Sequence, residues 1–337
     1  MKVLVLGGAG FLGFNAVEAL RDAGLDVVAG HRRRTNTILL RRREVPRVQA
    51  DLDNLESLRE AMRDVDVVVH AAGYYPRFSV SPERAIATGM DQSERVLDAA
   101  ATAGVRRVIY LSSTGTVAPT PGGTPSTERD VWTQAPEFGV YHALKWRMEQ
   151  RFLAEQRFEV AVLCPGACLG PWDLRIGTSA LLVATAGGLR PPHPDGWVNL
   201  VDVRDVARGV VACCAAPATV PRLLLSGHSL RLQPLLESLS TRYGVAPPSL
   251  PLSPKRAIAL ADEAEAEALR TAGRARLSRE IVDLINHGVP IDASRAAFAL
   301  NLSWTPLDRT LEAFETFARR MRFIPPEPLR GAPFYQL

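Results

Sequence analysis

Lys2-Val-Leu-Val-Leu-Gly-Gly-Ala-Gly-Phe-Leu-Gly13 is an aliphatic, β-branched run that ends in glycines and passes into a helical pattern from Asn15 to Ala23. Such a run reads as a short buried strand, a tight turn and a helix. In that unit Gly7 permits the turn, Gly10 lets the backbone approach a pyrophosphate, and Gly13 allows the helix to pack closely on the strand. The helix N-terminus then points unpaired N–H groups at the anion. Phe11 and Leu12 lie inside the same loop and share its cofactor contacts.

Outward from this unit, strand and helix patterns keep alternating. Strands are predicted at Val27 to Gly30, Arg47 to Ala50, Val65 to Ala71, Arg107 to Ser112 and Val160 to Cys164, with helices at Leu55 to Met62, Gln92 to Ala103 and Tyr141 to Gln156. The alternation predicts an α/β fold, a Rossmann doubly wound parallel sheet. After about residue 170 prolines accumulate at Pro191, Pro192, Pro194, Pro247, Pro248, Pro251 and Pro254, and an alanine- and arginine-rich helical stretch runs from Arg256 to Arg276. Residues 1–170 are therefore expected to bind a dinucleotide, with the sheet completed by segments at about 195–228. Residues 171–330 are expected to form mainly a smaller C-terminal substrate-binding lobe, without internal repeats.

The 337 residues, 47% of them hydrophobic, suffice for a large core. No apolar run reaches the roughly 18 residues of a membrane helix. The first strand is too short and glycine-rich for a signal peptide, so a cytoplasmic location is expected. A net charge of +4 is modest for this length, and the arginine clusters lack interleaved aromatics, which argues against nucleic acid as a partner. Cys164, Cys168, Cys213 and Cys214 form no Cys-x-x-Cys pair and gather no histidines, so they read as small buried hydrophobes and no metal is expected.

Among 40 basic residues only Lys2, Lys145 and Lys255 are lysine, and Lys145 stands four residues after Tyr141 in Tyr-His-Ala-Leu-Lys. Positions i and i+4 share a helix face, so both side chains can enter one pocket. There an ammonium favours tyrosinate and makes a phenol of ordinary pKa about 10 a usable acid or base.

These features occur in an order that resembles the extended short-chain dehydrogenase/reductases, in the branch of dihydroflavonol reductases and 3β-hydroxysteroid dehydrogenases, within the NAD-dependent epimerase/dehydratase superfamily. The resemblance covers roughly residues 1 to 320. Its motifs are the glycine loop at 7–13, Ala-Asp-Leu at 50–52, Val-His-Ala-Ala-Gly at 69–73 and Leu-Ser-Ser-Thr-Gly-Thr-Val at 111–117. Tyr-His-Ala-Leu-Lys at 141–145, Cys-Pro-Gly-Ala-Cys-Leu-Gly-Pro at 164–171 and Val-Asp-Val-Arg-Asp-Val-Ala at 201–207 complete them. By this resemblance Tyr141 is the general acid or base, Lys145 holds the nicotinamide ribose and lowers the tyrosine pKa, and Ser113 polarises the substrate carbonyl. Asp51 and Leu52 resemble the residues that flank the adenine. Ala71, Ala72 and Gly73 resemble the turn under the ribose, and Pro165 and Gly166 belong to a further cofactor segment. Three positions depart from the pattern: Leu6 replaces a threonine, Gly89 an asparagine, and Cys164 the arginine of an Arg-Pro-Gly segment.

An enzyme that uses NAD usually places a carboxylate after the second strand to bind the ribose 2′-hydroxyl. This chain has Gly30-His-Arg-Arg-Arg34 there, so Arg32 and Arg33 are expected to bind a 2′-phosphate, favouring NADP over NAD. Tyr74, Tyr75, Phe78, Thr114, Trp172, Leu174, Leu181, Leu182 and Trp197 are expected near the substrate, and their apolar character suits a lipophilic or aromatic ketone. The resulting expectation is an NADPH-dependent oxidoreductase that reduces such a ketone, possible in specialised metabolism and as a homodimer. The competing readings are a nucleotide-sugar epimerase or dehydratase with tightly held NAD, and a non-catalytic NADP-sensing protein.

Overall fold

The computed structural model describes residues 1–324 apart from 191, 216–220, 274 and 276. Pro191, Arg276 and the expected end of the second lobe at 325–330 lie outside the described residues. The first half alternates β1 (Lys2–Leu6), α1 (Phe11–Asp22), β2 (Asp26–His31), α2 (Ile38–Arg42), β3 (Arg47–Gln49), α3 (Leu55–Ala61), β4 (Val67–His70), α4 (Pro82–Thr102), β5 (Arg107–Leu111), α5 (Val140–Leu153) and β6 (Glu159–Pro165). There follow β7 (Ala167–Leu169), α6 (Ala180–Ala186), β8 (Trp197–Asp202), α7 (Val203–Ala215), β9 (Arg222–Leu225), β10 (His228–Arg231) and α8 (Leu232–Tyr243). Helices α9 (Pro254–Thr271), α10 (Arg279–Asn286), α11 (Ser294–Ala299) and α12 (Leu307–Arg320) complete the described chain.

Seven strands form one parallel sheet in the order β3-β2-β1-β4-β5-β6-β9. A second sheet, β10-β8-β7, pairs β7 and β8 in parallel and β8 and β10 antiparallel. Strand periodicity divides the main core. Val3 and Val5 of β1 face the cluster under α1 and α7, while Leu4 and Leu6 face the cluster under α3, α4 and α5. Leu4 is fully buried, so trimming it to alanine would cost about 2–5 kcal/mol. A third cluster joins α6, α8 and α12 to the small sheet through Leu182, Leu236 and Phe314.

Helix α4 starts at Pro82, ten residues before the expected Gln92. Ser81 caps it by accepting from Arg84 N–H, and proline suits the first helical turn. Gly89, which reads as a weak point in a helix, is there for packing: a Cβ would lie 2.6 Å from Leu144 Cδ1 of α5. Helix α1 likewise begins before Asn15, whose side-chain amide donates to the carbonyls of Phe11 and Pro171.

Candidate active site

The glycine turn shows why its residues cannot vary. Gly7 has φ +78°, and a Cβ at Gly13 would stand 2.2 Å from the Gly7 carbonyl oxygen. Gly10 is the N-cap of α1 with no side-chain cap, and the first turn carries no acidic residue, so N–H groups remain directed at the turn. Phe11 and Leu12 open that turn of helix. Gly7 and Gly8 N–H both donate to Gly30 at the end of β2, which brings the loop of Arg32 and Arg33 beside the turn. Both arginines are exposed, without an ion pair among the described residues. Asp51 and Leu52 follow β3 next to them, for Ala50 N–H donates to His31. The Asp51 carboxylate accepts from Asp53 N–H, and Leu52 is buried. Across the turn, a Cβ on Gly7 would meet Ala72 Cβ at 2.9 Å and the Ala71 oxygen at 3.1 Å.

The loop after β4 then meets α5. Lys145 is buried, and a Cβ on Gly73 would lie 3.1 Å from its Nζ. That nitrogen stands 5.6 Å from the Tyr110 ring centroid and 5.9 Å from that of Tyr141. Burial pulls the ammonium down to about 8, opposed by the carboxylate of Glu149. Ser113 follows β5 in extended conformation and caps the turn Thr114–Thr116, its Oγ accepting from Gly115 N–H at 3.1 Å. The same hydroxyl lies near the Tyr141 phenol and acts to lower its pKa. Ser113, Tyr141 and Lys145 thus meet at the carboxyl end of the sheet, where open α/β folds place their chemistry.

The expectation that Lys145 depresses the Tyr141 pKa differs from the structure. Burial raises the phenol above its ordinary value, and the nearby Ser113 hydroxyl only partly offsets this. The ammonium is itself desolvated, so in the protein alone Tyr141 keeps its proton.

The remaining candidates divide. Tyr74 packs toward Gly89 in the cluster under α4 and α5, Tyr75 lies 5.5 Å from the Tyr141 ring, and Thr114 flanks Ser113. Trp172 instead packs edge-on against Phe14 of α1 at 5.2 Å and lies 5.7 Å from Phe317 of α12. Trp197 on β8 stacks under the Arg231 guanidinium at 5.6 Å. Pro165 ends β6, and a Cβ at Gly166 would lie 2.3 Å from the Asn199 oxygen, so that glycine admits the small sheet.

Three polar residues of the site escaped the sequence reading. Glu149 follows Tyr141 and Lys145 at the same four-residue spacing, so helix periodicity alone could have found it. Its carboxylate is completely buried and accepts from Ser112 Oγ at 2.5 Å, Thr116 Oγ1 at 2.8 Å and Cys164 Sγ at 3.4 Å. Its other oxygen takes Arg222 Nε from β9 at 2.6 Å. The side chain at 164 therefore points at this carboxylate, and the guanidinium that position lacks arrives from the neighbouring strand. Glu280, on α10, is the third: it lies near the Tyr75 phenol, and burial pushes its carboxyl up to about 8. No local signal marks it. All four cysteines are buried and free, no metal-binding group occurs among the described residues, and no helix there is long and apolar enough to cross a membrane.

A parallel sheet with a glycine turn at β1–α1 is the architecture of dinucleotide-binding α/β proteins. A model of the NAD dependent epimerase/dehydratase family matches residues 3–223, and the chain belongs to that family, the extended short-chain dehydrogenase/reductases, as an NAD(P)-dependent oxidoreductase. It is 29% identical to sterol demethylase protein B of Methylococcus capsulatus, over 90% of this chain and 93% of the relative. It is 27% identical to a putative dihydroflavonol 4-reductase of Synechocystis, over 72% and 73% of the two chains. Among solved structures, a nucleoside-diphosphate-sugar epimerase from Pseudomonas aeruginosa superposes with TM-score 0.78 at 26% identity, covering 96% of this chain and 99% of that one. Yeast methylglyoxal/isovaleraldehyde reductase Gre2 with NADPH shares the fold, with TM-score 0.72 at 18% identity over 96% and 99%.

Proposed function

We propose that the protein reduces a ketone on a hydrophobic or aromatic small molecule to the alcohol, with NADPH, through Ser113, Tyr141 and Lys145. The observation that carries this reading is the placement of a buried Lys145 one helical turn from Tyr141, its Nζ 5.9 Å from that ring, with Ser113 at the end of β5 beside them. The residues fit the cofactor. The Gly7–Gly13 turn leaves room for a pyrophosphate, Lys145 beside Gly73 can hold the nicotinamide ribose, and Arg32 and Arg33 can pair with a 2′-phosphate where no carboxylate competes. When bound, the nicotinamide supplies hydride. Ser113, whose oxygen already accepts from Gly115, turns its O–H to the substrate carbonyl and fixes it. Tyr141 gives its proton to the carbonyl oxygen as negative charge develops there. Glu149, through Ser112, braces the strand end that carries Ser113.

A second reading, a sugar-nucleotide epimerase with retained NAD, is favoured by the likeness to the Pseudomonas enzyme. One screen separates the two. Purified protein is given NADPH or NADH with acetophenone-like, steroidal and polyketide-like ketones, and sugar nucleotides serve as controls. The expected result is NADPH oxidation with ketones only, a preference over NADH that falls about tenfold in Arg32→Ala with Arg33→Ala. Co-purified NAD and interconversion of sugar nucleotides without net reduction would establish the second reading instead.

A further inference from the structure

The wall of the site opposite the Rossmann half comes from α10. Glu280, Leu284 and His287 follow one another at helical spacing, so they share a face. Leu284 Cδ2 would lie 3.3 Å from a Cβ on Gly115, next to Ser113, and the His287 ring stacks on Phe138 at 3.8 Å. That face is turned toward the catalytic loop, with Glu280 at its upper end. The carboxyl is not held by its neighbours on α10. Arg279 is engaged by Asp283 at 3.0 Å and Asp262 at 3.2 Å, and Ser278 caps Ile281 N–H. Tyr75 lies near Glu280 and the two act on each other's titration, while Glu280 Oε1 is buried without a hydrogen-bond partner. A buried polar atom left unpaired costs stability unless water or a ligand supplies its partner.

Tyr75 indicates what that partner is. It sits on the irregular loop after β4, is 56% exposed, and its ring lies over Tyr141. Beside Tyr141, Tyr75 thus presents an aromatic ring bearing a hydroxyl. We propose that Glu280 is the specificity anchor of the pocket and accepts a hydrogen bond from a hydroxyl carried by an otherwise apolar or aromatic ketone, in the place the Tyr75 phenol now fills. The proposal rests on the reductase reading for the reacting carbonyl and adds the second functional group of the substrate. Lys145 and Tyr141 on α5, Glu265 on α9 and Asp283 on α10 are the other titratable groups that act on this carboxyl or its neighbours. The carboxyl holds its proton near neutrality beside the Lys145 cation, which favours a neutral hydroxyl over an amine cation.

The test uses matched pairs: acetophenone with its ω-hydroxy analogue, and benzylacetone with its β-hydroxy analogue. Binding to the NADPH-loaded protein is followed by quenching of cofactor fluorescence, and turnover by NADPH oxidation. Wild-type protein is expected to favour a hydroxylated member about tenfold in both affinity and kcat/KM. Glu280→Ala should lower that ratio to about one, and Glu280→Gln, which keeps an acceptor oxygen, should restore most of it. A Glu280-dependent preference in binding without any turnover would sustain the anchor and refute the reductase reading. Ratios that are the same in wild type and Glu280→Ala, with or without turnover, would overturn the anchor.

Discussion

The two walls of the active site were written into the chain in opposite ways. On the Rossmann side, chemistry is local: seven consecutive residues make the glycine turn, and one helical turn carries Tyr141 and Lys145. Elsewhere chemistry is assembled: within the Rossmann sheet Arg222 of β9 reaches Glu149 across 73 positions, and on the opposite wall Glu280 of α10 lies beside Tyr75 from the loop after β4. A site whose parts are contiguous tolerates little substitution within a motif. One assembled from distant elements can move a side chain to a neighbouring strand, as has happened with the guanidinium absent at Cys164.

The largest effect expected from breaking this comparison is at Arg222. Arg222→Ala leaves Glu149 charged, buried and short of its main partner, a loss of about 3–5 kcal/mol measurable by denaturant unfolding. Adding Cys164→Arg returns the guanidinium to the contiguous motif and should recover at least half. No recovery in the double variant would mean that positions 164 and 222 do not share one role.

A smaller effect concerns His70, inside a local motif. Its ring packs near Tyr110 and Phe152, neither nitrogen has a partner, and burial followed by the Lys145 charge holds its pKa down to about 3. A folded-state value below the unfolded one means the unfolded chain binds the proton first. Stability is therefore full above about pH 6.5 and falls on acidification toward pH 3. Between pH 7 and 5 this ring costs about 2 kcal/mol, and His142, lowered to about 3 chiefly by burial, adds a similar amount. His70→Phe should lose about half as much stability over that interval as wild type. An unchanged acid loss would show that His70 is hydrated or paired in solution.

Legibility followed the same division. The alternation of strands and helices, the turn at Gly7 to Gly13 and the Tyr141–Lys145 pair could be read because period and spacing are properties of neighbouring residues. Glu149 was readable in principle, since it continues the same helix face. The place of Gly89 inside α4 has its reason in the Leu144 side chain of another helix. Arg222 and Glu280 carry no local mark; only strand pairing and the docking of α10 give them partners. Trp172 reads as a pocket residue by its place after β6, yet its ring is held between Phe14 and Phe317 by packing that arises in the third dimension. The Tyr141 pKa was misread for a related reason, because desolvation depends on the whole surroundings.

The central claim is that Tyr141 delivers the proton while the cofactor site stands independently of it. Single-turnover oxidation of bound NADPH by a ketone that the wild-type protein reduces, compared with Tyr141→Phe at equal cofactor occupancy, tests this most directly. The account predicts a rate lower by about a thousandfold with NADPH affinity unchanged; a Tyr141→Phe protein that reduces the ketone at the wild-type rate would contradict it.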